Sequence, residues 1–399
     1  VEQALAANRD LRVSAARVRE ARAIARAAGA DMLPAADLDF SSSRSQRPSG
    51  TRFEGVSSRS NRFETGLNIS WELDVWGRVR DGRNAAAANA GAAAEDEQHA
   101  RLSLAADAVK AAVNVYEAER LLTLANDEVE AQKAQLGILN KQLDRGLNAE
   151  RGALDVSLSQ ADLARAESVV HVRKRELDGA KRALEVLLGD YPAGKASPLK
   201  QLPALSATVP AGLPSELLLR RPDLRAAERR LESALKEESQ SRKAFLPSFR
   251  LTTGGGFSSE ELSEMFSKDA LLWSVAGSVA QSVFQGGRLK ANVDAARARY
   301  DQALETYAQS ALDAFAEVET ALAADRYWAD QVTALRKTLT ESERAESLAR
   351  SSYERGLSDI LTLLDSFQRA ASARSSLVSA EAARVRNRVD LHLALGGSF

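Results

Sequence analysis

The chain is one assembly written twice, and this duplication limits its fold more than any other feature. Asp10-Leu11-Arg12 returns as Asp223-Leu224-Arg225, and Leu33-Pro34 as Leu246-Pro247, both 213 positions later. Gly77-Arg78 returns as Gly287-Arg288, Arg145-Gly146-Leu147 as Arg355-Gly356-Leu357, and Leu154-Asp155 as Leu364-Asp365, each 210 later. Leu188-Gly189 returns as Leu395-Gly396, 207 later. The offset shrinks in steps, so the copies differ by small loop changes. A repeat this long is a supersecondary assembly that must pack against its sister. The 399 residues are therefore expected to form one unit of two repeats, 1–189 and 215–399, joined by a proline-rich linker at 190–222.

Within each copy the hydrophobic period changes twice. Residues 2–31 read as helix, ending at Gly29 and stopped before Pro34. From Arg62 to Asp74, Phe63, Leu67, Ile69, Trp71 and Leu73 share one face with Thr65. The other face carries Arg62, Glu64, Glu72 and Asp74. That alternation is a strand with one apolar and one charged face. Ala36, Leu38 and Phe40 alternate with Asp37, Asp39 and Ser41 just before it, and Ser42 to Asn61 reads as a loop. The second copy repeats the pattern, which predicts strands at about 35–43, 62–74, 248–257 and 272–284. Strands of about ten residues are long enough to cross a bilayer when tilted.

A proline-free helical stretch follows each hairpin, about 78–145 and 288–355. Leu102, Ala105, Val109, Ala112 and Tyr116 mark a heptad seam in the first. Each stretch measures roughly 100 Å at 1.5 Å per residue. Returning helices are predicted at about 149–189 and 359–395, too short alone to match it. The helices before the hairpins, 2–31 and 223–245, supply the missing length if stacked end to end. Each hairpin then sits at one end of a long helical hairpin, with the Arg-Gly-Leu turn at the other.

Composition removes several classes of function. Basic and acidic residues balance at 54 against 55, so no nucleic-acid-binding face is implied. Cysteine is absent, which removes disulfides and thiolate chemistry. His99, His171 and His392 lack metal-ligand spacing, so neither metal nor cofactor is expected. No apolar run is long enough for a transmembrane helix. Gly254-Gly255-Gly256 reads as strand flexibility or close backbone approach, since no phosphate-loop lysine follows. No nucleophile–base set is present, so nothing points to an enzyme. Trp71, Trp273, Phe63 and Phe257 suit an interfacial aromatic girdle, while Trp76 and Trp328 are expected between helices. The chain opens inside a helical pattern, so a preceding targeting segment is expected.

Four strands are too few for a closed barrel, yet their two-faced pattern asks for lipid on one side and water on the other. Closure needs several copies, and a ring of three gives twelve strands. The competing reading is a non-transport coiled-coil scaffold with hairpin caps. The strict alternation of the charged face from Arg62 to Asp74 argues against it.

At this point the residues resemble a known family. Asn8-Arg9-Asp10-Leu11-Arg12-Val13, Trp71 through Arg80, Leu219-Arg220-Arg221-Pro222-Asp223-Leu224, Ala244-Phe245-Leu246-Pro247, Phe284 through Leu289 and Gly356 through Asp365 together cover nearly the whole chain. They resemble the TolC-type outer-membrane efflux channels, most closely the OprM/NodT-like branch. The resemblance implies a mainly α fold with a small β part: a homotrimer with a twelve-strand outer-membrane barrel and a periplasmic α-helical tunnel. It implies passive exit of drugs, metals or other small molecules, driven by an inner-membrane pump, of the RND type, through a periplasmic adaptor. A protein-secretion exit duct shares the fold and stays open as an alternative. The resemblance places a gate at Asp365 and Leu361, with Asp155 as the first-copy counterpart. Relatives lock the gate with an arginine where this chain has Gln368, leaving the lock to Arg369 or absent. Adaptor docking is implied at Arg145, Gly146, Leu147, Arg355, Gly356 and Leu357, with both glycines expected in turns too tight for side-chain bulk. Phe63, Leu67, Ile69, Trp71 and Leu73 are expected to face lipid. This branch also implies an acyl anchor on the intact precursor, through a cysteine that is not in this chain.

Overall fold

The computed structural model describes residues 1–48, 57–145, 152–197, 199–205 and 220–397. The first helical stretch is two helices, α1 (Glu2–Ala7) and α2 (Arg9–Ala30), rather than the single helix read over 2–31. Asn8 separates them with extended backbone, φ −59° and ψ 134°. Its side-chain oxygen accepts from the N–H of Asp10 at 2.9 Å and of Leu11 at 3.2 Å. That is N-cap chemistry, and it restarts the helix with its first donors satisfied.

The strands are β1 (Ala35–Pro48) and β2 (Ser57–Leu73), then β3 (Ser248–Ser259) and β4 (Leu271–Ala280). The sheet order is β1-β2-β3-β4, antiparallel throughout. β1 and β2 extend beyond the spans read at 35–43 and 62–74, through most of the expected loop, to the pair Pro48↔Ser57. Backbone pairing does not require an apolar face, and Ser45–Ser60 at 2.9 Å and Arg59–Gln46 at 3.2 Å support it from the side chains. β4 stops at Ala280, short of the expected 284, because its partner β3 begins at the opposing Ser248. Beyond that point the backbone has no strand to pair with, and Val283 is 97% exposed.

The long helices are α3 (Arg78–Asp144) and α6 (Arg288–Glu354), each 67 residues. Asp74 caps α3 by accepting from the N–H of Val79 at 2.9 Å and of Arg80 at 2.8 Å. The returning helices are α4 (Gly152–Leu188) and α7 (Ile360–Ala394). α5 (Pro222–Lys243) starts on a proline, whose missing N–H is no loss at the first helical position.

Contacts divide the chain into two compact units, and each draws on both halves of the sequence. One holds residues 1–14, 96–224 and 310–399. Its linker segment packs Leu199, Leu202 and Leu205 on Val113, Ala382 and Val385. Glu185 on α4 pins the same linker by accepting from the N–H groups of Gly194, Lys195 and Ala196 at 2.7, 2.5 and 2.9 Å. The other unit holds residues 15–95 and 225–309, including the whole sheet. In it the alanine run of α3 is buried at Ala85, Ala88 and Ala92. Small residues allow close approach there: Ser233 of α5 donates to the carbonyl of Ala85 at 3.0 Å. Asp81 binds Lys243 at 2.5 Å and Ser239 at 2.6 Å nearby.

Candidate functional site

Residues opposite one another in an antiparallel pair share a face. The register therefore carries one apolar surface across all four strands. Leu38 opposes Leu67, Trp71 opposes Leu251, Thr253 opposes Val275 and Phe249 opposes Val279. On this face Leu38, Trp273, Val275 and Val279 stand open in the chain, 80%, 78%, 64% and 64% exposed. Phe63, Ile69, Trp71 and Leu73 lie on the same face, half-buried by their neighbours.

The opposite face is polar. Asn68 donates to Asp39 at 2.5 Å, Ser258 to Glu64 at 3.2 Å, and Arg62 pairs with Glu64 at 3.5 Å. Gly256 lies opposite Gly66, and a Cβ added to Gly256 would collide with the backbone of Thr65 and Gly66. Close backbone approach is thus the role of Gly256, while at Gly254 an added Cβ would press on the Asn68 side chain and at Gly255 it would make only ordinary contact. Trp71 donates to the carbonyl of Met32 at 2.9 Å, a polar tip on an apolar body. Trp76 is not between helices as expected. It is 45% exposed, donates to the carbonyl of Pro247 at 2.8 Å and tilts against Phe249. Its position follows from the turn before α3, which the helical pattern downstream does not reveal.

At the far end of α6 the chain turns through Gly356, whose φ is +73°. Leu357 N–H reaches the carbonyl of Ser352 and Gly356 N–H that of Tyr353, both at 2.9 Å. This is a Schellman turn, and glycine is required by its left-handed backbone. Crowding does not require it, contrary to expectation, since an added Cβ would meet nothing within 4 Å. Asp359 then caps α7 through the N–H of Thr362 at 2.8 Å. Arg355 and Leu357 are exposed on this turn. Of the matching turn, Arg145 is described, while Gly146 and Leu147 lie outside the described residues. Beneath the turn Leu139, Tyr353, Ile360, Leu363, Leu364 and Phe367 form a buried cluster, with Val156 and Leu158 packed on it.

α7 presents Leu361, Asp365, Gln368 and Arg369 outward from this cluster. Asp365 binds Arg369 at 2.7 Å, one helical turn on, with side chains 59% and 72% exposed. Gln368 reaches Ser372 at 3.5 Å and takes no part in that pair. Asp155 sits differently. It is half-buried, and together with burial, the larger cause, its charge pushes the Tyr353 hydroxyl above its ordinary range. The two aspartates share a repeat position and not an environment.

The sequence reading had no role for Arg221, which is buried at the start of α5 and binds Asp223 and Glu317, each at 2.7 Å. Its only signal is an arginine directly before Pro-Asp at a helix start. Among the described residues no cluster of three acidic or histidine side chains could hold a metal ion. No described helix is long and apolar enough to cross a membrane.

A four-strand sheet with one apolar and one polar face, in a chain with two helices of 67 residues, is the pattern of a channel-forming protein of the outer-membrane type. The outer membrane efflux protein family model matches residues 1–190 and 213–397, and the chain belongs to that family. It is therefore an outer-membrane efflux channel protein and not an enzyme. It is 32% identical over 402 residues to the cation efflux system protein CusC of Escherichia coli O6:H1, covering 100% of this chain and 85% of that protein. It is 31% identical to the solvent efflux pump outer membrane protein SrpC of Pseudomonas putida, covering 100% of this chain and 84% of that protein. The solved outer-membrane channel OprN superposes with a TM-score of 0.93 at 32% identity, covering 100% of this chain and 89% of that one.

Proposed function

We propose that three copies of this chain form the exit duct of a tripartite efflux system. Each copy contributes four strands to a twelve-strand barrel, and the two repeats of each chain contribute matching helical hairpins to a periplasmic tunnel. The observation that carries this reading is the apolar face continued across all four strands while the outer edges of β1 and β4 lack a partner strand among the described residues. Unpaired strand edges are not tolerated in hydrocarbon, and neighbouring copies satisfy them. Lipid then covers the face of Phe63, Leu67, Ile69, Trp71 and Leu73, and water fills the side of Asp39, Glu64 and Asn68.

In this reading the duct is passive. An inner-membrane pump, of the RND type, drives export through a periplasmic adaptor that docks on the turns at 145–147 and 355–357. Leu361 and Asp365 of the three copies line the closed tip. Asp155 contributes less, because it is half-buried where Asp365 is exposed. Metal cations and organic solvents are the substrate classes named for CusC and SrpC, and small solutes of that kind are the proposed cargo. An acyl anchor on the intact precursor completes the assignment.

Light scattering of the detergent-extracted protein tests the assembly. A mass of three chains with native strand content is expected, and a monodisperse monomer with the same strand content refutes it.

A further inference from the structure

The repeat offers a comparison between two equivalent joints, both inside the unit of residues 1–14, 96–224 and 310–399. At the offset of Asp10 and Asp223, Asn8 corresponds to Arg221. At the offset of Leu188 and Leu395, Leu187 corresponds to Ala394. Both pairs are bonded. Asn8 donates its side-chain amide to the carbonyl of Leu187 at 3.2 Å, and Arg221 donates to the carbonyl of Ala394 at 3.1 Å. Each joint thus ties the last turn of a returning helix to the first turn of a short one.

The chemistry differs. Asn8 does both jobs with one neutral amide, donating to α4 and accepting from the N–H groups of Asp10 and Leu11. Arg221 puts a cation at the negative end of α7, and Asp223 puts a carboxylate at the positive start of α5. The guanidinium grips Asp223 with two hydrogen bonds, at 2.7 and 3.1 Å, and reaches Glu317 on α6. Burial lowers its pKa, but the bonds to both carboxylates outweigh that and hold it above its ordinary value. Position 107 corresponds to Glu317, and Asp107 has another task. It binds Lys110 at 3.0 Å, and Lys110 binds Asp390 of α7 at 3.0 Å. The end of α7 is therefore held by charge from two sides. The end of α4 has no such clamp among the described residues of its joint.

We infer that Arg221 is a positioning residue for the gating helix. It fixes the C-terminal end of α7 to α5 and α6 through an ionic clamp, and Arg388–Asp325 and Arg374–Glu346, at 2.7 and 2.9 Å, keep the helix against α6 further along. Asp365 lies 29 residues from Ala394, or roughly 44 Å along one helix. With the helix held along its side, a slip at the clamp is carried to the tip as a shift along the helix axis. The inference rests on Asp365 belonging to the gate.

The test is the resting conductance of the full-length assembly in planar bilayers, read with its melting temperature. Arg221→Asn copies the first joint into the second. It is expected to fold with native heat-modifiable mobility and to raise resting conductance about threefold or more, a shift of the closed–open population. Arg221→Lys keeps the charge and is expected to stay near the wild type. Asn8→Ala is expected to lower the melting temperature without changing conductance. If Arg221→Asn does not assemble, Glu317→Gln, whose side chain is 55% exposed, takes its place with the same expected direction. Unchanged conductance in a folded variant overturns the clamp, as does an equal rise in Asn8→Ala. Asp365→Ala, measured alongside, separates the two ideas. If it is silent while Arg221→Asn leaks, the gate residue is elsewhere and the clamp stands. If it alters cation block while Arg221→Asn is silent, the clamp falls and the gate stands.

Discussion

The substitution that bears most directly on the lipid-facing assignment is Leu67→Arg, set against Asn68→Arg. Phe63 and Leu73 bound the apolar face of β2. Ten residue steps at about 3.3 Å give roughly 33 Å along the strand, and a tilt of about 40° reduces this to a height of roughly 25 Å. That height equals the usual apolar band of an outer-membrane barrel, and it puts residues 67–69 at the midplane. An arginine on the lipid face there costs about 2–4 kcal/mol. Each chain then loses between about 30-fold and about 900-fold in its folding equilibrium. Asn68 points the other way, with Asp39 at 2.5 Å. An arginine there gains a charge-assisted partner and is expected to stay within about 0.5 kcal/mol of the wild type. Equilibrium urea unfolding in lipid vesicles at fixed protein concentration reads both, since assembly makes the midpoint concentration-dependent. Equal destabilisation at the two neighbours refutes the argument, because it removes the difference between the faces.

Gly356→Ala is expected to cost about 1–2 kcal/mol through its left-handed backbone, seen as faster hydrogen exchange around the turn with assembly intact. Gly356→Trp adds bulk to an open turn and, combined with Gly146→Trp, is expected to abolish pump-dependent export; normal export refutes docking at these positions. Asp365→Ala is expected to weaken block of the channel by multivalent cations, with a smaller effect for Asp155→Ala; unchanged block places the constriction elsewhere. Glu185 is buried, which raises its pKa, but the N–H groups of Gly194, Lys195 and Ala196 outweigh burial and depress it. A depressed carboxylate stabilises the fold above its unfolded pKa and loses that contribution as pH falls through the folded one. Exchange protection of residues 194–196 is therefore expected to persist below the ordinary glutamate range and then fail. Glu185→Gln should remove that acid step, and an identical pH profile in the variant refutes it.

The alternation at 62–74 is legible because period 2 leaves no other way to segregate five apolar side chains from four charges. The hairpin beyond it is not legible, because residues such as Arg44, Ser45 and Arg59 are polar on both faces. Their pairing is held by the backbone ladder, which leaves no mark in hydropathy. The break at Asn8 escaped for a related reason. Asparagine within a helical stretch reads as a tolerated guest, and only its bonds to Asp10 and Leu11 reveal a cap. The glycine run allows two readings, and the nearness of the Thr65 and Gly66 backbone decides for close approach at Gly256. Arg221 was beyond reach. Its partners Glu317 and Ala394 are 96 and 173 positions away, and one sequence carries no signal of such pairs.

Where the family resemblance expects an arginine at 368, this chain has Gln368 and carries the arginine at 369. At 369 it falls one turn after Asp365 and pairs within its own helix. An exposed pair at that spacing contributes only about 0.3–0.5 kcal/mol, so it is easily given up. In the proposed trimer a carboxylate from a neighbouring copy takes Arg369 from Asp365 only where the new pairing outweighs this small contribution and the desolvation of both groups. On that proposal the same side chain has two uses, neutralising its own acid in the separate chain and bridging copies in the closed tip. A glutamine at 368 can supply neither charge. The proposed closed state is then held only as firmly as Arg369 can be shared between copies, which leaves more of the restraint to the packed cluster beneath the turn and to the far end of α7.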